Sequence, residues 1–204
     1  MWKQRAIIIT LAAALMLLCV AGCNADDTVI PQNTIKLSDL NADQQDIVDL
    51  VTIPNAQEVL IFDFNTEEAF NNVEFWVEIH RNGKLADQPA RVVTILDKTD
   101  SQSGRLAAII TQKPNYRWML SVITSGTRSS HASTAEFVVD SALASASGVT
   151  EEAVTIEDGK EIILYTALFT TGGMTVYDHK TFQERPELLS EYTYAHVIKC
   201  KFTK

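Results

Sequence analysis

The stretch Val73–His80 reads VEFWVEIH, a strict alternation. As a strand it sends Val73, Phe75, Val77 and Ile79 to one face and Glu74, Trp76, Glu78 and His80 to the other. The first set is core. In the second, an aromatic plate is flanked by two carboxylates and an imidazole, which is what a sugar or a cationic ligand takes. Glu74, Trp76, Glu78 and His80 are therefore the candidate ligand-binding residues, with Trp76 as the anchor and the carboxylates as acceptors. The competing arrangement has Trp76 packed under a loop or against a neighbouring strand's side chains, with the carboxylates solvated at its edges.

Other chemically capable residues fall short of a motif. His196 and Cys200 lie four apart on a strand-like segment, beside Ile198 and Phe202 on one face. Imidazole and thiolate are good zinc ligands, but a site needs three or four and no second pair stands at ligand spacing, so Cys200 reads as a small buried hydrophobe and no metal is expected. Asp63-Phe-Asn-Thr-Glu-Glu68 alternates oxygen ligands without the glycine or the distant glutamate of a calcium loop, and reads instead as the capped start of a helical turn at Thr66. Ser125-Gly-Thr-Arg-Ser-Ser-His131 puts hydroxyls near an imidazole with no G-x-S-x-G elbow and no S-x-x-K, which leaves a polar loop joining two strands. No G-x-x-x-x-G-K or H-E-x-x-H occurs, and no cofactor is expected.

The elements that would position these groups are mostly strands. Candidates are Glu58–Phe64, Val73–His80, Ala90–Leu96, Arg105–Gln112, Tyr116–Thr124, Ala135–Val139, Glu161–Thr170 and Thr193–Phe202. Asn82-Gly83 is a strong hairpin signal, and Asp100–Gly104, Lys113–Asn115, Ser125-Gly126, Asp158-Gly159 and Gly172-Gly173 supply further turns. A short amphipathic helix fits Asn41–Val51, capped by Asn41, and another fits Pro186–Tyr192. Asp140–Gly148 is small and weakly polar with no apolar face, and reads as a crossover loop between the sheets rather than a short helix at a sandwich end. The pattern predicts a mainly β protein, an antiparallel β-sandwich of about eight strands with one or two short helices, and nothing has βαβ spacing.

The chain opens with Lys3 and Arg5 and no acid, then runs apolar from Ala6 to Gly22 with Thr10 as its polar interruption. That is the layout of a secretory signal. Val20-Ala21-Gly22-Cys23 resembles the lipobox of bacterial lipoproteins, a resemblance confined to residues 1–23. It implies cleavage before Cys23, a thioether from Cys23 to diacylglycerol, and often acylation of the new amino terminus. Two or three acyl chains exceed what stable anchoring requires. The expected organisation is a signal peptide at 1–22, a lipidated Cys23 with a flexible tether through residue 34, and one domain at 35–204.

Loss of residues 1–22 leaves 15 basic and 26 acidic residues, a net charge of −11. Nucleic acid and anionic lipid surfaces both reward a basic patch, so neither is an expected partner. Cys200 is the one cysteine left in the folded part, so stability must come from a hydrophobic core without internal disulfides. The expected function is a non-catalytic binding or interaction module on the extracytoplasmic face of the cell membrane, or in the periplasm of a two-membrane host. Its partners would be the membrane, through lipid on Cys23, and an envelope protein or glycan. The alternatives are an envelope enzyme acting on glycan or peptide, using carboxylates or His131, and a structural subunit of a membrane complex.

Overall fold

The computed structural model describes residues 30–52, 57–96, 102–112, 115–133, 136–140 and 142–204. The signal segment and Cys23 lie outside the described residues. Strands dominate, as alternation predicts: β1 Thr34–Leu37, β2 Gln57–Thr66, β3 Asn72–Arg81, β4 Lys84–Ile95, β5 Gln102–Thr111, β6 Asn115–Thr124, β7 Arg128–Ala132, β8 Phe137–Val138, β9 Ala144–Val149, β10 Val154–Thr155, β11 Glu161–Thr170 and β12 Tyr194–Thr203. One sheet runs β10-β1-β2-β5-β6-β7, with β8 also paired to β6, and the other runs β4-β3-β12-β11-β9. Their strand pairs are antiparallel, and the two sheets stack as a β-sandwich.

The core between the sheets is built by alternate residues of each strand. Phe62 and Phe64 of β2, Leu106 of β5 and Trp118 of β6 meet Phe75 of β3 and Phe202 of β12, all closed to solvent. Phe202 stands edge-on to Phe64 at 5.1 Å and to Phe70 at 5.7 Å, the geometry that brings a positive ring edge to a negative ring face. β11 is buried on both faces because a second apolar cluster forms outside its sheet. There Phe182, on helix α2 (His179–Glu184), joins Leu188, Leu189 and Tyr192 from the 3₁₀ turn Pro186–Glu191 and its end, and together they cover Ile163, Leu168, Ala195 and Val197.

Helix α1 (Ala42–Val51) starts where Asn41 predicts, with a capping box in which Asn41 and Gln44 satisfy each other's backbone amides. Among the described residues nothing covers its Ile47, Leu50 and Val51, which are all exposed. The β3–β4 hairpin turns at Asn82 and Gly83, whose φ values of 48° and 73° are the left-handed pair that a two-residue turn requires.

Four short strands depart from the expected eight, and each has a physical reason. β7 replaces the expected polar loop at 125–131, and β9 replaces the expected crossover loop at 140–148. Both are edge strands held by backbone hydrogen bonds to β6 and β11, so neither needs an apolar face to exist. β1 and β10 pair with each other and extend the first sheet beyond β2. The expected helical turn at Thr66 is the end of β2, where the buried Thr66 hydroxyl donates to the Glu68 carbonyl at 3.0 Å. Gly104, expected in a turn, is inside β5, because a Cβ there would lie 2.4 Å from the Ile123 carbonyl oxygen and 2.7 Å from the Phe64 ring.

Candidate functional site

β3 places Glu74, Trp76, Glu78 and His80 on the outer face of its sheet, as alternation predicts, and brings all four into one charged lattice. Trp76 lies between Arg91 of β4 and Lys199 of β12 in the strand register. Glu78 accepts hydrogen bonds from the Trp76 indole at 2.9 Å, from a His80 ring nitrogen at 2.8 Å and from the Lys199 ammonium at 2.8 Å. Lys199 continues to Glu161 at 3.0 Å, while Glu74 pairs with Arg91 and with Lys201. The indole is only 4% exposed, and the Lys201 ammonium sits 5.9 Å from a ring centroid. Trp76 is thus packed against neighbouring strands, with the long Lys201 side chain over its ring. Burial pushes the Glu78 carboxyl up, but the bonds from His80, Lys199 and Trp76 outweigh it and hold the group down at about 2.

A second constellation lies between the sheets, at the end where the β2-β5-β6 side opens toward edge strand β9. Glu58 follows the parity of Leu60, Phe62 and Phe64 on β2, so a carboxylate occupies an inward position at the mouth of the core. Its Oε2 accepts from the Tyr165 hydroxyl at 3.0 Å and from the Gln112 amide at 2.8 Å. The Ser147 side chain lies near the Tyr165 hydroxyl in the same lining. Among the described residues no cation pairs with Glu58. Tyr116, Tyr165, Phe169, Gln112, Ser145 and Ser147 line a cleft of about 160 Å³ here. Burial, then the Glu58 charge, push the Tyr165 and Tyr116 phenols up, so both stay protonated as hydrogen-bonding groups.

His196 stands behind this cleft. Its ring contacts Tyr116 at 5.0 Å and Phe169 at 4.9 Å, both cleft residues, and also Trp118 and Phe137. It is 1% exposed, and among the described residues neither ring nitrogen has a hydrogen-bond partner. Burial pulls its pKa down to about 3, so the imidazole is neutral. Cys200, on the same strand face, is fully buried, and burial pushes its thiol up. Among the described residues no group of three His, Cys, Asp or Glu converges as a metal site. His131 is exposed on edge strand β7, where it pairs in register with Leu120.

Reasoning from sequence missed Glu58, Gln112, Tyr116 and Tyr165. One signal was available: Glu58 is a charged residue in phase with an otherwise apolar inward face.

The family described as the YgaN domain matches residues 34–202. The chain belongs to the YgaN family. The match begins at the first residue of β1 and ends within β12, so both sheets of the sandwich, the Glu78 lattice and the Glu58 cleft all belong to the YgaN domain. No curated protein and no solved structure matches the chain.

Proposed function

We propose that this YgaN-family protein is a non-catalytic binding module held at the extracytoplasmic face of a bacterial membrane by lipid on Cys23. The layout of residues 1–23 supports the anchor, through its basic start, apolar run, small residues at 21 and 22, and cysteine. The observation that carries the binding role is the cleft beside Glu58, where two phenols, an amide and two serine hydroxyls line a concavity and the Glu58 carboxylate holds the Gln112 amide and the Tyr165 hydroxyl in place. A concavity with placed, converging polar groups is the form that a small-molecule site takes. The carboxylate's neighbours are phenol and amide rather than an activated nucleophile and its base, which favours holding a ligand over transforming it.

A second reading, a subunit of a membrane-associated complex, is favoured by α1, whose Ile47, Leu50 and Val51 are exposed among the described residues. The test is one experiment with two readouts. Cells expressing the full chain or its Cys23→Ala variant are fed an alkyne-tagged fatty acid, fractionated and crosslinked. Tagging and membrane retention of the wild type, lost in the variant, support the anchor. Crosslinked protein partners lost on Leu50→Asp would transfer the role to the complex reading.

A further inference from the structure

We propose that α1 of one copy of this chain docks on the outer face of the first sheet of a second copy. The proposal gives α1 an occupant and is independent of the Glu58 cleft, which lies between the sheets. α1 buries none of its ten residues, and Leu50 is 85% exposed. A helix this short is marginal in water without packing, so its apolar side needs a surface to lie on. At about 100° per residue, Leu50, Ile47 and Val51 fall on one arc, with Asp43, Asp46 and Asp49 along its Leu50 side. The half-buried Gln44 and Val48 lie on the other side of that arc, so the arc itself points away from the domain.

The outer face of the first sheet carries the complementary pattern. Strand register sets Val59 beside Ile109, Ile109 beside Met119 and Met119 beside Ala132, an apolar row that crosses β2, β5, β6 and β7. Ile61 and Ala107 broaden it from the next row. Ten helical residues rise about 15 Å and four strands span about 14 Å, so α1 matches the row in length. Arg117 flanks this band at one end of the strands, and Lys36, Arg105 and Arg128 flank it at the other. The face has one carboxylate of its own, Asp63, which pairs with Arg105 at 2.7 Å. Asp39 and Glu136 reach Lys36 and Arg117 from the margin, and Arg128 has no ion pair among the described residues. A cationic rim around an apolar band, in a chain of net charge −9, is complementary to an apolar arc edged by three aspartates. The same aspartates set α1 against a second α1 and against an anionic lipid surface.

Two differently tagged full-length copies are expressed together, one carrying Leu50→Cys and the other Met119→Cys. Both positions are exposed, and the native Cys200 is fully buried. Intact cells are treated with a short, membrane-permeant bismaleimide, and copies without an introduced cysteine set the background. The expected result is a product carrying both tags, with none above background when both copies carry Leu50→Cys or both carry Met119→Cys. Arg128→Glu in both copies should lower the yield by about threefold or more, the scale of reversing one exposed ion pair. Arg185→Glu, an equal charge change away from this face, should leave the yield unchanged. Product between like positions, or a product with a different protein in place of the second copy, overturns the proposal. So does no product, closure confined to a single chain that carries both cysteines, or a yield that the two charge reversals change alike. None of these results bears on the cleft, so the binding-module reading stands or falls separately.

Discussion

The Tyr165 hydroxyl donates to the Glu58 carboxylate at 3.0 Å, joining two residues 107 positions apart across the gap between the sheets. Tyr165 is 1% exposed and sits just past an irregularity in the β11–β12 register. Removing its hydroxyl leaves Glu58 with the Gln112 amide alone. Tyr165→Phe should therefore lower unfolding stability by about 1.5–3 kcal/mol, the range for a hydrogen bond to a charged group, read as a shift of the urea midpoint at constant slope. An unchanged midpoint would mean that the contact contributes nothing.

The lattice on the outer face of β3 is a stability element in which Trp76 is the largest packed surface. Trp76→Ala should cost about 3–5 kcal/mol, as expected for emptying a buried indole position. Glu78 adds a pH signature. Its folded pKa of about 2 lies below the ordinary 4.5, so its contribution is present above 4.5 and is lost as pH falls toward 2. The stability gap between wild type and Glu78→Gln should narrow across that window, and a gap that stays constant from pH 5 to 2 would contradict the assignment.

His196 acts on a different window. With a folded pKa of about 3 against an ordinary 6.5, the unfolded chain binds a proton between those values that the folded protein does not. Stability should fall on acidification from 6.5 and stop falling on this account near 3, with a slope from this group approaching about 1.4 kcal/mol per pH unit. His196→Phe keeps an aromatic ring among Tyr116, Trp118, Phe137 and Phe169 and removes two unpartnered nitrogens. Denaturant titrations at a series of pH values should show this variant losing less stability between 6.5 and 4.5 than the wild type.

Gly83 is fixed by two constraints at once. Its φ is +73°, and a Cβ there would lie 2.6 Å from the Ser190 Cβ on the 3₁₀ turn. Gly83→Ala should destabilise by about 2 kcal/mol or more, combining left-handed strain with a clash. Gly173→Ala, with nothing within 4 Å, should stay within about 0.5 kcal/mol of wild type. Thermal unfolding of the two variants side by side checks the contrast.

The long strands were legible because inward positions are apolar and outward ones polar, and the Asn82-Gly83 turn because few other dipeptides adopt its geometry. The capping box of α1 was legible in Asn41, though the exposure of Leu50 was not. β7 and β9 stayed hidden because an edge strand can be specified by its neighbour's backbone, and Arg128–Ala132 and Ala144–Val149 carry little pattern of their own. Helix α2 was missed as well, since Phe182 is its one buried residue. At the site, alternation correctly grouped Glu74, Trp76, Glu78 and His80, but could not foresee that Arg91 and Lys199 from adjacent strands would pair with Glu74 and Glu78 while Lys201 lies over the indole. The cleft draws on three strands and the end of β5, with Glu58 of β2 bonded to two of its lining residues, a long-range assembly that local spacing does not encode.

Native mass spectrometry of the protein extracted from host membranes tests the central claim most directly, comparing wild type with a Ser147→Lys variant, whose long side chain at an exposed lining position on β9 blocks the cleft mouth, after exposure of both to the host's small-molecule envelope extract. The account predicts a small-molecule adduct on the wild type that is absent from the variant, both carrying the mass of acyl chains on Cys23. An adduct retained equally by both proteins, or none on either, would contradict a binding module whose site is the Glu58 cleft.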